Sequence, residues 1–247
     1  MTRSLALVVI GFLILLVPHA AFAQSISIDL GQHGGAGTTS RLVQLTALIT
    51  LLSLAPSLLV MMTAFTRIII VLSLLRSAIG AQGTPPNTVL IGLGLFLTLY
   101  VMQPTLQQSW TAGIEPMMAG QIGEMDGLAA AAQPFHSFML ASVRGPDLAT
   151  FLNLAHLPQP AHAADTPWRA LVPAYMIGEL RRGFEMGFLL YLPFLVIDLV
   201  VSSILMSLGM MMLPPSSVSL PFKLIFFVLV DGWQLVAGSL VRSFGGG

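Results

Sequence analysis

LPFLVIDLVVSSILMSLGMMMLPPSSVSLPFKLIFFVLVDGW, residues 192–233, decides the fold class. Two apolar runs flank Pro214-Pro215, and within them only Asp198, Lys223 and Asp231 carry charge. Runs of this hydropathy joined by a proline turn read as a helical hairpin in apolar surroundings. A helix satisfies its own backbone where no water can. Proline cannot continue a helix, so the bend falls at Gly209 to Ser217.

Charges in such a context need an explanation, because one at a bilayer centre costs from about 2.5 kcal/mol upward. Arg67, Asp198, Lys223 and Asp231 are therefore expected to be paired or to face protein or water, whereas Arg76 and Arg242 fit helix ends that snorkel to headgroups. Snorkelling fits Asp198 poorly: twelve uncharged residues precede it and 24 follow. Counted from a bend at Gly209 to Ser216, Asp198 is roughly 16 Å away and Lys223 roughly 10 Å, about one turn out of level. A contact within one chain is then stretched, and a neighbouring copy is the expected source of the partner. Sequence leaves open whether Asp198 meets Lys223 or Arg67.

Working outward, the whole chain is apolar: of 247 residues, 55% are hydrophobic and 8% charged, with a mean hydropathy of +0.88. A soluble domain carries about a quarter charged residues, so the composition is that of a membrane protein. Net charge is zero and no Lys/Arg run exists, which argues against nucleic acid as a partner. The absence of Cys excludes disulfides, thiolate nucleophiles and zinc–thiolate sites.

Residues 1–23 carry Arg3, an apolar run from Leu5 to Val17 and Ala21-Phe22-Ala23 before Gln24, the pattern of a signal peptide cleaved between Ala23 and Gln24. Residues 24–41 read as a mobile polar arm. Residues 42–106 form a first apolar helical hairpin, kinked at Pro56, turning at Ser77 to Asn87 and ending near Pro104. Residues 107–169 hold five acidic residues and most of the Pro and His, and read as a water-exposed insert of short helices. Residues 170–247 are the second hairpin with its Met-rich turn. The expected fold is an all-α membrane protein: two long kinked helical hairpins with a small helical hydrophilic insert. Small residues four apart, Ala174/Gly178 and Gly183/Gly187, permit close helix approach.

Chemistry-bearing motifs are missing. His33, His136, His156 and His162 lack metal-ligand spacing and read as solvated loop histidines; no HExxH, Walker loop, GxSxG or SxxK occurs, and Gly92-Leu-Gly94 lacks a third glycine. Glu179 and Glu185 read as flanking a helix. No enzyme activity and no cofactor are expected. Met210-Met211-Met212 at the bend are unbranched and polarizable, suited either to a deformable closure or to ordinary packing. A secondary transporter is the rival class, since intramembrane charges mark ion paths, but the two halves show no matching pattern.

Two blocks carry a resemblance. MTAFTRIIIVLSLLR, residues 62–76, continues through PPNTVLIGLGLFLT at 85–98; the second block runs from AYMIGELRRGF at Ala174 to VDGW at Trp233. Together they resemble the FliP family, the FliP/SctR subunits of type III secretion export gates. The resemblance implies several copies assembled with FliQ and FliR into a helical pore complex at the centre of the flagellar basal body, near FlhA and FlhB. It implies a periplasm-facing place in the bacterial inner membrane, in contact with lipid, and unfolded flagellar subunits as cargo. Met210, Met211 and Met212 correspond to the family's methionine gasket. Asp198 and Lys223 occupy its charged positions, and Arg67, Glu179 and Asp231 complete a set of intersubunit or buried charges. The signal and the long insert favour flagellar over injectisome members.

Overall fold

The structure, a computed structural model, describes residues 60–81, 83–210 and 212–245, with positions 46, 49, 50, 53 and 57. The signal with Ala23 and Gln24, the polar arm, Pro56 and Met211 lie outside the described residues. The chain divides into two compact units, Met1–Leu51 and Leu52–Gly247, and the elements below all belong to the second. Among the described residues there is no strand; the chain is an all-α membrane protein.

Helix α1, Phe65–Ile79, buries Ile68, Val71, Leu72, Leu75 and Ala78, an i, i+3, i+4 stripe. It stops at Gly80, whose φ of 76° few side chains tolerate and whose N–H bonds the Arg76 carbonyl. Helix α2, Asn87–Ser109, returns beside it and lays Gly94 against Phe65 and Ile69. Pro104 does not end α2, contrary to the sequence reading. An interior proline costs about 3 kcal/mol, yet Met102, Thr105 and Ser109 on either side of it are buried, and burial of that order offsets the loss.

The helix passes through a π-helical turn, Trp110–Ile114, into α3, Glu115–Met118. Beyond it lie α4, Glu124–Ser142, and α5, Gly145–Leu154, followed by a 3₁₀ turn at Ala163–Asp165. The π turn fits its neighbour closely. Ser109 Oγ donates to the Ala131 carbonyl at 2.7 Å, and a Cβ on Gly113 would lie 2.4 Å from the Ala131 amide nitrogen. This region thus holds helices of 4, 19 and 10 residues.

Helix α6, Trp168–Ser207, is 40 residues long, roughly 60 Å, and runs unbroken through Pro173 and Pro193. It lies parallel to α1: Tyr175 Oη donates to the Thr63 carbonyl at 2.9 Å, Glu179 meets Arg67, Gly183 sits under Ile70 and Gly187 under Leu74. The Gly183/Gly187 spacing is therefore a close approach within one chain. A Cβ on Gly187 would stand 2.3 Å from Leu74 Cδ1, the end of a movable side chain. Gly187→Ala is expected to destabilise by about 1 kcal/mol, with Leu74→Ala relieving the clash; thermal unfolding in detergent checks both.

The second hairpin closes with α7, Pro215–Leu229, which breaks by 63° before α8, Gly232–Gly245. The sequence reading missed this joint. It is made by Asp231 at φ 50° and by Gly232, pressed against the Phe227 ring. By length and composition, Asn87–Met118 and Trp168–Ser207 can each cross a membrane, and the bent α7–α8 pair counts as a third span if taken as one.

Candidate functional site

Two charged centres join the hairpins, one at each end of α1. At its start, Arg67 and Glu179 are each 1% exposed. Arg67 Nε donates to Glu179 Oε2 at 2.8 Å and Nη2 to Oε1 at 2.5 Å, a bidentate fork. Its Nη1 donates to the carbonyl and to Oγ of Ser243, both at 2.9 Å. Four of the five guanidinium N–H groups are thereby used. The Phe244 ring covers the guanidinium with its centroid 3.7 Å from Cζ. Arg182 stands 3.7 Å from the same carboxylate. One arginine thus pins α1, α6 and α8 together. Glu179 does not flank a helix; it lies within α6, as does Glu185, which is exposed.

At the other end of α1, Lys223 Nζ lies 2.6 Å from Asp198 Oδ2 and 3.0 Å from the Ala78 carbonyl. Ser219, fully buried, donates from Oγ to Asp198 Oδ1 at 2.6 Å. The Ala78 carbonyl is among the last four of α1, which have no partner inside their helix and attract a cation. Asp198 therefore pairs within its own chain, which corrects the expectation of a stretched contact completed by a neighbouring copy. The bend was placed unevenly: α6 ends at Ser207 and α7 begins at Pro215. Asp198 and Lys223 then lie nine and eight residues from their helix ends, so the two are level. Asp198→Ala is expected to cost about 2 kcal/mol by stranding the Lys223 ammonium. The charge swap of the two residues should recover only part of it, because the swapped carboxylate faces the Ala78 carbonyl. Chemical unfolding of the purified chain in detergent measures both.

The methionine turn hangs beyond this second centre. Gly209, at φ 70°, ends α6 in a Schellman motif: its own N–H reaches the Met206 carbonyl at 3.1 Å, and that of Met210 reaches Leu205 at 3.0 Å. Pro214 then precedes Pro215, which opens α7 where a missing N–H costs nothing. Met210 is 43% and Met212 98% exposed. Neither is core filler within the chain, and the turn carries them at the free end of a hairpin braced by Asp198, Lys223 and Ser219.

Asp231, expected as an intersubunit or buried charge, is exposed in this chain, and its positive φ gives it a backbone role at the α7–α8 joint. His136 departs from the loop reading too. It lies in α4, buried, with Nε2 2.8 Å from the Thr166 carbonyl and its ring 4.9 Å from that of Trp168. Sequence reasoning missed the contribution of Ser219, Ser243 and Phe244. Ser219 sits four residues before Lys223 on the same helix face, a signal that was available. Among the described residues no group of three or more His, Cys, Asp and Glu side chains is placed to hold a metal.

The family model of the FliP family matches residues 48–240, a span that includes both charged centres and the turn. The chain belongs to the FliP family. Among its relatives, the flagellar biosynthetic protein FliP of Caulobacter vibrioides is 60% identical over 230 residues, 93% of this chain and 86% of that protein. FliP of Agrobacterium fabrum is 47% identical over 94% of this chain and 96% of its own length. FliP of Bacillus subtilis is 47% identical over 83% and 93%. FliP proteins are export-apparatus components rather than a known enzyme family, and the long apolar helices here agree with a membrane protein of the flagellar apparatus.

Proposed function

We propose that this chain is the pore-forming subunit of the flagellar protein export gate, and that its methionine turn closes the passage through which unfolded flagellar subunits cross the inner membrane. The observation that carries the reading is the placement of Met210 and Met212. They are exposed apolar side chains at the tip of a hairpin whose flanks are cross-braced by a buried lysine. A rigid support with a soft end is what a reversible closure needs. Thioether side chains repack around a moving occupant at little rotamer cost, while the Asp198–Lys223–Ser219 brace keeps the tip in place.

One chain supplies one turn, so a closed ring takes several copies, with FliQ and FliR as the accompanying chains. The exposed apolar faces of α2 and α6, with Phe96, Leu99, Phe188 and Leu199 standing free, supply surface for such neighbours and for lipid. Catalysis has no part in it: the charges near the tip are engaged in bracing helices, and the energy for export comes from elsewhere in the apparatus. The insert faces the periplasm in this reading. Co-expression of the full chain with FliQ and FliR, followed by native mass measurement, tests the assembly. A multi-chain complex containing several copies is expected. A chain that purifies alone and binds a small solute contradicts the reading and favours a transporter.

A further inference from the structure

All the sulfur in this chain is thioether: it has 14 methionines and no cysteine, so no thiol competes for an oxidant. Packing protects part of the set. Met102 and Met139 are 1% and 0% exposed, and Met176 Sδ accepts from Thr66 Oγ at 3.9 Å. The free end of the second hairpin is the opposite case. Met206, Met210 and Met212 are 62%, 43% and 98% exposed, and among the described residues no large apolar side chain is more exposed than Met212. Met118 and Met125 are exposed as well, but they belong to α3 and α4, far along the chain from the turn.

We infer that Met210 and Met212 form an oxidant-sensitive modification site, at which conversion to the sulfoxide by a peroxide opens the closure that the turn provides. The site rests on the closure reading above and gives that closure a chemical control. In the reaction a sulfur lone pair takes oxygen from hydrogen peroxide. The S–O bond forms as the O–O bond breaks, the proton of the transferred hydroxyl passes to the departing hydroxide, and water leaves. Sulfur is oxidised and the peroxide reduced by the same electron pair. No helix of the chain covers the Met212 side chain, so a peroxide, little larger than water, reaches it from the passage. The product is polar and stays hydrated. Pressed into an apolar ring, its oxygen is an acceptor without a partner, a cost that the thioether does not carry. Such a closure tightens when reduced and loosens when oxidised. On Met118 and Met125 the same oxygen faces water and does not reach the closure.

The assembled complex is treated with hydrogen peroxide in a planar bilayer while its conductance is recorded, and the sulfoxides are located by peptide mass analysis. Conductance is expected to rise towards that of a complex with Met210, Met211 and Met212 replaced by alanine, in step with sulfoxide in the turn. Methionine sulfoxide reductases with dithiothreitol should lower it again. A complex with the same three residues replaced by leucine, similar in volume, is expected to stay closed throughout, whereas Met118→Leu with Met125→Leu should respond as the native chain does. Sulfoxide in the turn without a rise in conductance overturns the site. So does a rise that persists in the leucine variant. If the leucine variant already leaks, the native time course decides: a rise that tracks oxidation of Met118 and Met125 and precedes that of the turn overturns the site. An alanine variant that leaks where the oxidised native complex does not confines the failure to oxidation. An alanine variant as closed as the native complex overturns the closure reading, and the site with it.

Discussion

Arg67→Met is expected to deprive the membrane of folded chain almost completely. The substitution leaves the Glu179 carboxylate, 1% exposed, with only the partly exposed Arg182 at 3.7 Å for company. Removing one member of a buried pair costs about 3–5 kcal/mol, a large share of the roughly 5–15 kcal/mol that holds a domain folded. It also frees Ser243 and the Phe244 ring, so α8 loses its attachment to α1. Arg67→Lys keeps the charge but not the fork, and should fall between the two. Replacing both partners, Arg67→Met with Glu179→Leu, removes the stranded charge and should recover most of the loss. Steady-state level in membranes and protease resistance in detergent distinguish these variants. Equal loss in the single and the double variant would show that the pair matters for something other than burial.

The α7–α8 joint is the second sensitive point. A Cβ on Gly232 would lie 2.1 Å and 2.2 Å from Cε2 and Cδ2 of Phe227. That ring cannot swing away, because it is buried with Phe194 at 6.2 Å and Trp233 at 5.2 Å between centroids. Gly232→Ala is therefore expected to destabilise by about 3 kcal/mol, the upper range for overpacking, and to open the 63° bend. Adding Phe227→Leu makes room and should return much of the stability. Gly245→Ala, with nothing within 4 Å, is the neutral control. Thermal unfolding in detergent, with hydrogen exchange across residues 226–236, gives the comparison.

Hydropathy made the helical class and the two hairpins legible, since 42 residues with three charges admit few alternatives in an apolar medium. It failed at Pro104, which lies inside α2 rather than ending it, because packing on neighbours outweighs a single lost amide bond. The joint at Asp231 was invisible for the opposite reason: no proline marks it, and its cause is a residue in the left-handed region next to a glycine under an aromatic ring. The buried charges were flagged by their apolar context, but their partners could not be assigned. Pairing depends on helix ends, and an error of a few residues at the bend moved Asp198 and Lys223 a full turn apart. Arg67 with Glu179 spans 112 residues of sequence, and no periodicity links them. The methionine turn was found as a motif, while its exposure at a braced tip came only from the Schellman geometry at Gly209.

The most direct test of the export-gate account is the ion conductance of the assembled complex in planar bilayers, with Met210, Met211 and Met212 intact and with all three replaced by alanine. A closed complex is expected for the native chain and a clear rise in leakage for the alanine variant at unchanged native mass. Equal, low conductance in fully assembled complexes of both would contradict it.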